Sequence, residues 1–375
     1  MDAYAFLYVV GDNVIPCYRA SAGENKLKMP LAKKEKYEQV IAAQAIKLMR
    51  VSRHAFEKLV KKGILTKEKA GDKTVYSMSD IIAFMQTKEY RDLVEGTIDK
   101  RNTLNDLTGK EWLPETKSYF YQKGLGAEHK DAQIERQHPA PYSFQDIEKL
   151  LLFFTKKGMS VLDPFGGVGS TAKACALLER VCTSIELSEK YHALSIERLE
   201  TEVATGASNN HNFINGDSCA FLPTIADNTF DFIVTSPPYW GILNKQDQKV
   251  KKQRVARNLD TKYSEDNRDL GNIADYIQFL DILCNNVFME CARVLRAGKY
   301  MAIIVSDFRD KQSFVSFHSD LIQRLNGVEI TTGEKLYLQG VKILIQNHKS
   351  LLPYGYPFSY VENIHHQYVL IFQKK

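Results

Sequence analysis

The feature that most constrains the fold is a glycine-rich turn that joins a short apolar strand to a helix at residues 160–171. The sequence there reads SVLDPFGGVGST, and an alanine-rich segment predicted to be helical continues to residue 179. Glycines let the backbone approach a ligand closely, and the N-terminus of a helix adds partial positive charge. The pattern therefore predicts a nucleotide-type site at the carboxyl end of the first strand of an α/β sheet.

Three further apolar segments end in residues that suit such a site. The second segment leads into Glu186, the third ends at Asp217, and the fourth, residues 230–234, runs into the sequence Thr-Ser-Pro-Pro-Tyr-Trp. An acid at the tip of the second strand suits the two hydroxyls of an adenosine ribose, and an acid at the tip of the third suits the adenine amino group. A lone glycine-rich turn is weak evidence, whereas this ordered set of strand tips is specific.

These motifs resemble those of the amino-methylating DNA methyltransferases that use S-adenosyl-L-methionine, over residues from about 136 to 375. DPFGGVGST resembles the family's first motif, and TSPPY at residues 235–239 resembles its catalytic motif. HPAPYSF at residues 138–144 resembles the segment that closes over the methionine end of the cofactor. The resemblance implies a Rossmann-like α/β domain of the class I methyltransferase type, with a seven-stranded, mostly parallel sheet.

The resemblance implies two groups of site residues when it is carried over position by position. The implied cofactor-binding residues are Tyr142, Asp163, Phe165, Gly167, Gly169, Thr171, Glu186 and Asp217. The implied catalytic residues are Ser236, Pro237, Pro238 and Tyr239. Histidines and cysteines lack the spacing of metal ligands, so we expect no metal.

The Ser-Pro-Pro-Tyr segment suits methylation of an exocyclic amine on a base. Such a nitrogen is a poor nucleophile, because its lone pair is delocalised into the ring. Hydrogen bonds to the Ser236 hydroxyl oxygen and the Pro237 carbonyl draw the nitrogen toward a tetrahedral form, and two prolines hold both acceptors rigidly. Tyr239 supplies a flat face for the base, which has to be flipped out of a duplex to reach the site.

The target base and the target-recognition region stay open. Family members with Ser in the first position of the catalytic motif more often methylate cytosine N4, whereas members with Asp or Asn there more often methylate adenine N6. Cytosine N4 is therefore favoured. Many Ser-Pro-Pro members place the catalytic motif first, whereas here residues 163–171 precede residues 235–239. Residues 241–271, residues 306–360 and the N-terminal part are the candidates for target recognition. The alternative functions are an RNA base methyltransferase and an inactive DNA-binding regulator with a methyltransferase fold.

A second unit with short helices is predicted ahead of this domain. Residues 37–49 have helical spacing, and Ser52 is placed to cap a second helix that Gly63 ends. A tight turn at Ala-Gly-Asp-Lys separates two extended pieces, and Ser79 is placed to cap a third helix. Two short helices joined by about three residues form a helix-turn-helix unit.

Residues 42–85 resemble the small winged helix-turn-helix domains of the excisionase and MerR type, whose second helix enters the major groove. One departure is Arg50, where that family usually has glycine, so the turn is expected to differ. The implied DNA-binding residues are Ser52, Arg53, His54 and Lys58, with Lys69 and Lys73 flanking a wing.

Charge along the chain is uneven and supports a nucleic-acid partner. The net charge is +5, but residues 33–73 alone carry +7 and residues 245–262 carry +5, which leaves −7 on the remainder. Two basic islands on an acidic body indicate a polyanion contacted at two places. The second island adds Lys251, Lys252 and Arg254 to the predicted DNA-binding residues.

The predicted organisation has three parts: a segment of unassigned role at residues 1–36, a winged helix-turn-helix domain with its linker at 37–105, and a methyltransferase domain at 106–375. No apolar run approaches the ~18 residues of a membrane span, and six scattered cysteines fit a reducing compartment. The expected setting is the cytoplasm, in a prokaryotic or phage-encoded protein bound to double-stranded DNA. A cognate restriction enzyme would be a separate chain, and the oligomeric state is open.

Overall fold

The chain divides into two compact units, Met1–Asp99 with Thr108–Lys110 and Lys100–Leu107 with Glu111–Lys375. The division falls within the polar stretch at residues 99–110. This computed structural model describes residues 6–10, 13–17, 39–122, 129–241, 266–311, 313–347 and 349–375.

The first unit combines short antiparallel sheets with short helices. Its strands are β1 (Phe6–Val10), β2 (Asn13–Cys17), β3 (Gln39–Ile41), β4 (Lys67–Ala70) and β5 (Lys73–Ser77). Its helices are α1 (Ala42–Met49), α2 (Arg53–Lys61), α3 (Met78–Met85) and α4 (Lys88–Glu95). β1 pairs with β2, and the other three strands form a sheet in the order β3-β5-β4. Apolar residues of α1, α2 and α3, among them Ala45, Phe56 and Ile81, form its core.

Local chemistry sets where these helices begin. The Ser52 hydroxyl accepts a hydrogen bond from the Ala55 N–H at 3.2 Å, as expected of an N-cap. The third helix is capped by Ser77 rather than by Ser79, because β5 continues to Ser77 and the Ser77 hydroxyl accepts from the Asp80 N–H. The first helix begins at Ala42, later than predicted, because Gln39–Ile41 pairs with β5 as a strand.

The turn between α1 and α2 keeps the conformation that glycine usually supplies. Arg50 has φ 53° and ψ 36°, in the left-handed region, so the expectation of a different turn is wrong. The Arg50 N–H donates to the Lys47 carbonyl and the Val51 N–H to the Ile46 carbonyl, which offsets part of the strain of a non-glycine residue there. The assignment of this unit to a winged helix-turn-helix stays a prediction.

The second unit is an α/β domain around one large sheet. Its strands are β6 (Tyr119–Tyr121), β7 (Ser160–Asp163), β8 (Val181–Glu186), β9 (Asn212–Asn215), β10 (Phe230–Thr235), β11 (Leu295–Val305), β12 (Phe308–Asp310), β13 (Ser313–Val315), β14 (Val328–Glu329), β15 (Lys335–Ile345) and β16 (His366–Lys374). Its helices are α5 (Gly109–Glu115, which starts in the first unit), α6 (Phe144–Phe154), α7 (Ser170–Leu177), α8 (Glu189–Glu202), α9 (Ser218–Phe221), α10 (Tyr276–Ile282), α11 (Met289–Val294) and α12 (Phe317–Leu325).

The central sheet has the strand order β14-β15-β16-β11-β10-β7-β8-β9, with β6 paired to β15. β7, β8, β9, β10 and β11 are mutually parallel, and β16 is antiparallel to its neighbours. The sheet has nine strands in the described part of the chain rather than the seven expected. The two additional strands, β6 and β14, pair with different halves of the long β15, and three or two residues are too few to produce a periodic signal.

Helices pack on both faces of this sheet, because its strands are apolar on both sides. Val161 and Phe232 belong to one buried cluster with α6 and α7. Their neighbours Leu162 and Ile233 belong to the opposite cluster with α10, α11 and α12. The unit therefore has an α/β fold with helices on both faces of a mostly parallel central sheet. In the described residues, no helix has the length and apolar character of a membrane span.

Candidate active site

The glycine-rich turn follows β7 directly and leads into α7. Gly167 and Gly169 have φ values of 52° and 77°, which L-residues rarely adopt. At Gly166, which the sequence analysis did not single out, an added Cβ would lie 1.9 Å from the Ser184 hydroxyl oxygen. Glycine therefore lets the turn adopt this backbone path and pack closely on β8 at the carboxyl edge of the sheet.

A cleft of about 880 Å³, which includes open solvent, lies at this edge. Eight of the twelve residues predicted for cofactor binding or catalysis line it: Tyr142, Phe165, Gly167, Glu186, Asp217, Ser236, Pro237 and Pro238. Distant segments complete the lining with residues that the sequence analysis did not assign, among them His138, Pro141, Tyr191, Arg268, Asp269 and Leu270. The cleft thus lies where the ends of β7, β8, β9 and β10 meet two other segments. One of these segments precedes β7, and the other begins 30 positions after Pro238.

Asp163 is not among the residues that line the cleft, but its buried carboxyl group bonds to several residues around it. Its side chain is fully buried and accepts hydrogen bonds from the hydroxyls of Thr171 and Thr235, each at 2.6 Å, and from the Phe165 N–H at 3.1 Å. The Tyr142 hydroxyl donates to the same carboxyl. Burial raises the pKa of Asp163, and these hydrogen bonds oppose that rise. Asp163 therefore ties the glycine turn, the segment of Tyr142 and the end of β10 together.

Glu186 occupies the tip of β8 and is held by backbone donors. Its two carboxylate oxygens accept from the N–H groups of Gly167 and Ser188, both at 2.8 Å. Burial raises the pKa of Glu186 to about 7, even though both hydrogen bonds lower it. This carboxyl group can therefore change its charge near neutral pH, and when ionised it offers further lone pairs to a hydroxyl donor.

Asp217 lies at the next strand tip and caps α9. Its side chain accepts from the Cys219 N–H at 2.9 Å, and Asp217 also lines the cleft. Carboxyl groups at the tips of β8 and beyond β9 are accordingly brought to one cleft. A ligand with hydroxyl and amino donors fits this pair of acceptors.

The Ser-Pro-Pro-Tyr segment begins where β10 ends and divides into two parts. Ser236, Pro237 and Pro238 line the cleft, and their predicted role as acceptors for a base stays a prediction. Tyr239 does not line it: its hydroxyl accepts from the Gln367 side-chain amide at 3.2 Å, and its ring meets Phe317 edge-on with centroids 6.3 Å apart. Burial raises the pKa of the Tyr239 phenol. Tyr239 is thus packed against the core beside the cleft.

The predicted DNA-binding residues that the structure describes lie in the first unit and are exposed. Ser52, Arg53, His54 and Lys58 are at the start and on the outer face of α2, and Lys69 and Lys73 flank the hairpin turn. Arg53 also pairs with Glu57 at 3.1 Å. Lys251, Lys252 and Arg254 lie outside the described residues.

The model of the N6/N4 DNA methylase family matches residues 27–197 of this chain. The match includes the glycine-rich turn and Glu186 and ends ahead of the Ser-Pro-Pro-Tyr segment.

Individual relatives match shorter stretches of the chain than the family model does. The orphan methyltransferase M.BamHII of Bacillus amyloliquefaciens is 37% identical over 71 residues, 19% of this chain and 27% of that protein. The type II methyltransferase M.SmaI of Serratia marcescens is 47% identical over 45 residues, 12% of this chain and 15% of that protein. The aligned stretches span about a quarter or less of these relatives. Among solved structures, TrmN from Thermus thermophilus is 16% identical with a TM-score of 0.36, over 62% of this chain and 48% of that one.

Proposed function

We propose that this chain belongs to the family of amino-methylating DNA methyltransferases and acts as one of them. The match of residues 27–197 to the N6/N4 DNA methylase model supports this proposal. The proposed reaction is transfer of a methyl group to an exocyclic amino group of a base in DNA, with cytosine N4 favoured. The observation that carries it is the shared cleft, where Ser236, Pro237 and Pro238 lie with the glycine turn and the acids of two strand tips.

The residues of the cleft fit the family's cofactor, S-adenosyl-L-methionine, which supplies a methyl group on a positively charged sulfur when bound. Gly166 and Gly167 line the cleft, and Gly166 packs so closely on β8 that a Cβ there would collide with Ser184, so glycine keeps this wall of the cleft in place. Glu186 would hold the ribose hydroxyls and Asp217 the adenine amino group. The segment of Tyr142 lines the same cleft, which suits the methionine end.

Ser236 and Pro237 supply the acceptors that the amine needs. In the proposed complex the serine hydroxyl oxygen and the proline carbonyl accept from the two N–H groups of the amine. Two prolines fix the backbone, so the acceptors are in place before the base arrives, which is the main source of rate in such a site. The reaction needs no covalent enzyme intermediate, and holding the amine in line with the methyl group adds to the rate.

The favoured target is cytosine N4, because Ser rather than Asp or Asn precedes the two prolines. Adenine N6, an RNA base and an inactive regulator are the alternatives. Nucleoside mass spectrometry on DNA and RNA from cells that express the protein separates all four. We expect N4-methylcytosine in DNA. N6-methyladenine in DNA would identify adenine as the target base, and a methylated base in RNA would identify RNA as the substrate. An absence of new methylation in both nucleic acids would contradict the proposal.

The proposed partner is double-stranded DNA, with the target base extruded into the site. The proposed setting is the cytoplasm of a prokaryotic cell, for a chromosomal or a phage-encoded protein. Any cognate restriction enzyme would be a separate chain.

Cofactor affinity is expected to rise with pH through the titration of Glu186. Its pKa of about 7 leaves the carboxyl mostly protonated at pH 6 and mostly ionised at pH 8. If the ionised form binds the ribose hydroxyls, affinity for S-adenosylhomocysteine should increase about tenfold across this range. Titration calorimetry with Glu186→Gln, which cannot ionise, should give weaker binding with no such slope. Parallel slopes in the two proteins would remove Glu186 from the assignment.

The exposed cations of the first unit are expected to contribute to duplex binding. Replacing Arg53 and Lys58 by Glu should weaken binding of duplex DNA several-fold and flatten its salt dependence, because each neutralised phosphate releases counterions. Fluorescence anisotropy at several salt concentrations measures this. The control is Lys157→Glu with Lys375→Glu, which makes the same charge change at exposed positions of the second unit. Equal losses in the two variants would indicate a general charge effect and leave the first unit without this role.

A further inference from the structure

The loop between β15 and β16, residues 346–365, displays an unusual group of exposed apolar side chains. Among the residues that the structure describes, the four most exposed large hydrophobic side chains all belong to it. They are Phe358 at 92%, Tyr360 at 83%, Tyr356 at 81% and Leu351 at 77% exposure. Large apolar side chains that are exposed together in one loop are typical of an interaction site.

Hydrogen bonds hold the loop in its outward position. At its base the Gln346 N–H donates to the His365 carbonyl at 2.8 Å. Further out, the Asn363 side chain accepts from the Leu352 N–H and donates to the Leu352 carbonyl, both at 2.9 Å. The tip is closed by the Phe358 N–H, which donates to the Gly355 carbonyl at 2.7 Å. The rings are therefore presented by a defined loop.

The loop leaves the sheet at the same edge as the Ser-Pro-Pro-Tyr segment. β15 is antiparallel to β16, and β16 is antiparallel to β11, so β15 runs in the same direction as β11 and β10. The last residue of β15, Ile345, pairs with His366, and the next residue, Gln367, donates its side-chain amide to the Tyr239 hydroxyl at 3.2 Å. A residue of β16 two positions beyond the loop thus contacts the proposed catalytic segment.

The chemistry of the loop favours nucleobases over phosphates. Residues 346–365 contain one lysine and one glutamate, so the patch offers flat rings with almost no net charge. Aromatic rings stack on bases whatever their identity, and apolar side chains of DNA-binding proteins insert between base steps that are unstacked. A base that is extruded for methylation leaves such a gap beside the active site.

We infer that this loop contacts the DNA duplex beside the target and stacks Tyr356, Phe358 or Tyr360 on the bases that extrusion exposes. The inference rests on the proposed function, and it makes this loop the part of the protein that stabilises the distorted DNA. It also assigns a role within residues 306–360, one of the regions left open for target recognition.

The test compares three variants of the full chain. The first is Tyr356→Ser/Phe358→Ser/Tyr360→Ser, which removes the rings. The second is Tyr356→Phe/Phe358→Tyr/Tyr360→Phe, which keeps them. The third is Tyr337→Ser, which removes a partly exposed tyrosine near the other end of β15. The probes are unmethylated bacterial genomic DNA with labelled S-adenosylmethionine, S-adenosylhomocysteine calorimetry and light scattering.

We expect the serine variant to lose about ten- to hundredfold in kcat/KM for DNA, mostly through KM, since base stacking is lost. Its affinity for S-adenosylhomocysteine should be unchanged, and the other two variants should stay within about twofold of the parent. If the parent methylates DNA and the serine variant matches it, the loop assignment is wrong while the function stands. A parent that methylates no DNA contradicts the function itself. A fall in mass from dimer to monomer in the serine variant would make the patch a self-association surface and overturn the inference.

Discussion

Replacing Ser236 by alanine is expected to slow methyl transfer about 10²–10³-fold, as when one preorganised hydrogen-bonding group is removed from a site. Alanine keeps the backbone and the two prolines, so the Pro237 carbonyl still accepts one N–H group of the amine. The lost hydroxyl oxygen acts on the nitrogen only as it becomes tetrahedral, so the loss should fall on the chemical step. Affinity for the cofactor should stay close to that of the parent.

Single-turnover kinetics with saturating labelled cofactor measure this step. The comparison variant is Tyr239→Phe in the same segment, which keeps the ring and loses a hydroxyl that bonds to the side chains of Gln367 and Ser236 and to the Ser306 backbone. We expect it to retain much of the parent rate, because Tyr239 lies beside the cleft rather than in its lining. A Ser236→Ala protein that transfers methyl at near the parent rate would mean that residues 235–240 form a structural turn without a catalytic role.

The part of the site that follows the strands could be predicted from sequence. Apolar runs ending in the glycine turn, Glu186 and Ser236 identify β7, β8 and β10, because a buried parallel strand has a near-continuous apolar pattern and a distinct end. Parallel strands have their carboxyl ends at one edge, so residues at successive tips meet. The structure brings these three tips to one cleft.

Contacts between distant segments could not be predicted in this way. Arg198 is fully buried on α8 and pairs with Glu135 at 2.8 Å and Glu202 at 3.0 Å. Lys173 on α7 reaches Glu202 at 2.7 Å and Asp131 at 3.3 Å. This network fixes residues 129–137, just ahead of the segment of Tyr142, against two helices. Each charge alone has the pattern of a solvated helix face, and only the tertiary fold shows that the charges are buried together.

The structural role of Asp163 could not be predicted either, although the motif that contains it could. The resemblance implies that it binds the cofactor, yet the structure places it beneath the cleft, where it accepts from the hydroxyls of Tyr142, Thr171 and Thr235. Asp163→Ala would remove the acceptor of the Thr235 hydroxyl, of the Phe165 N–H and of one further hydroxyl, because those of Tyr142 and Thr171 lie 2.6 Å apart and can still bond to each other. Since each unsatisfied buried polar group costs about 1–3 kcal/mol, the second unit should lose about 3–5 kcal/mol of unfolding free energy. Cofactor affinity should also fall, because Tyr142 would lose its anchor.

Urea unfolding followed by tryptophan fluorescence isolates this loss, because both tryptophans, Trp112 and Trp240, belong to the second unit. The matched control is Asp231→Ala. Asp231 is a buried aspartate on the adjacent strand, and it accepts from Ser160 and pairs with Arg296 at the opposite edge of the sheet. That variant should lose stability while its affinity for S-adenosylhomocysteine stays unchanged. If Asp163→Ala weakens cofactor binding no more than Asp231→Ala does, Asp163 serves only the stability of the sheet. A larger loss of affinity in Asp163→Ala would show that the carboxyl group holds the walls of the cleft in place.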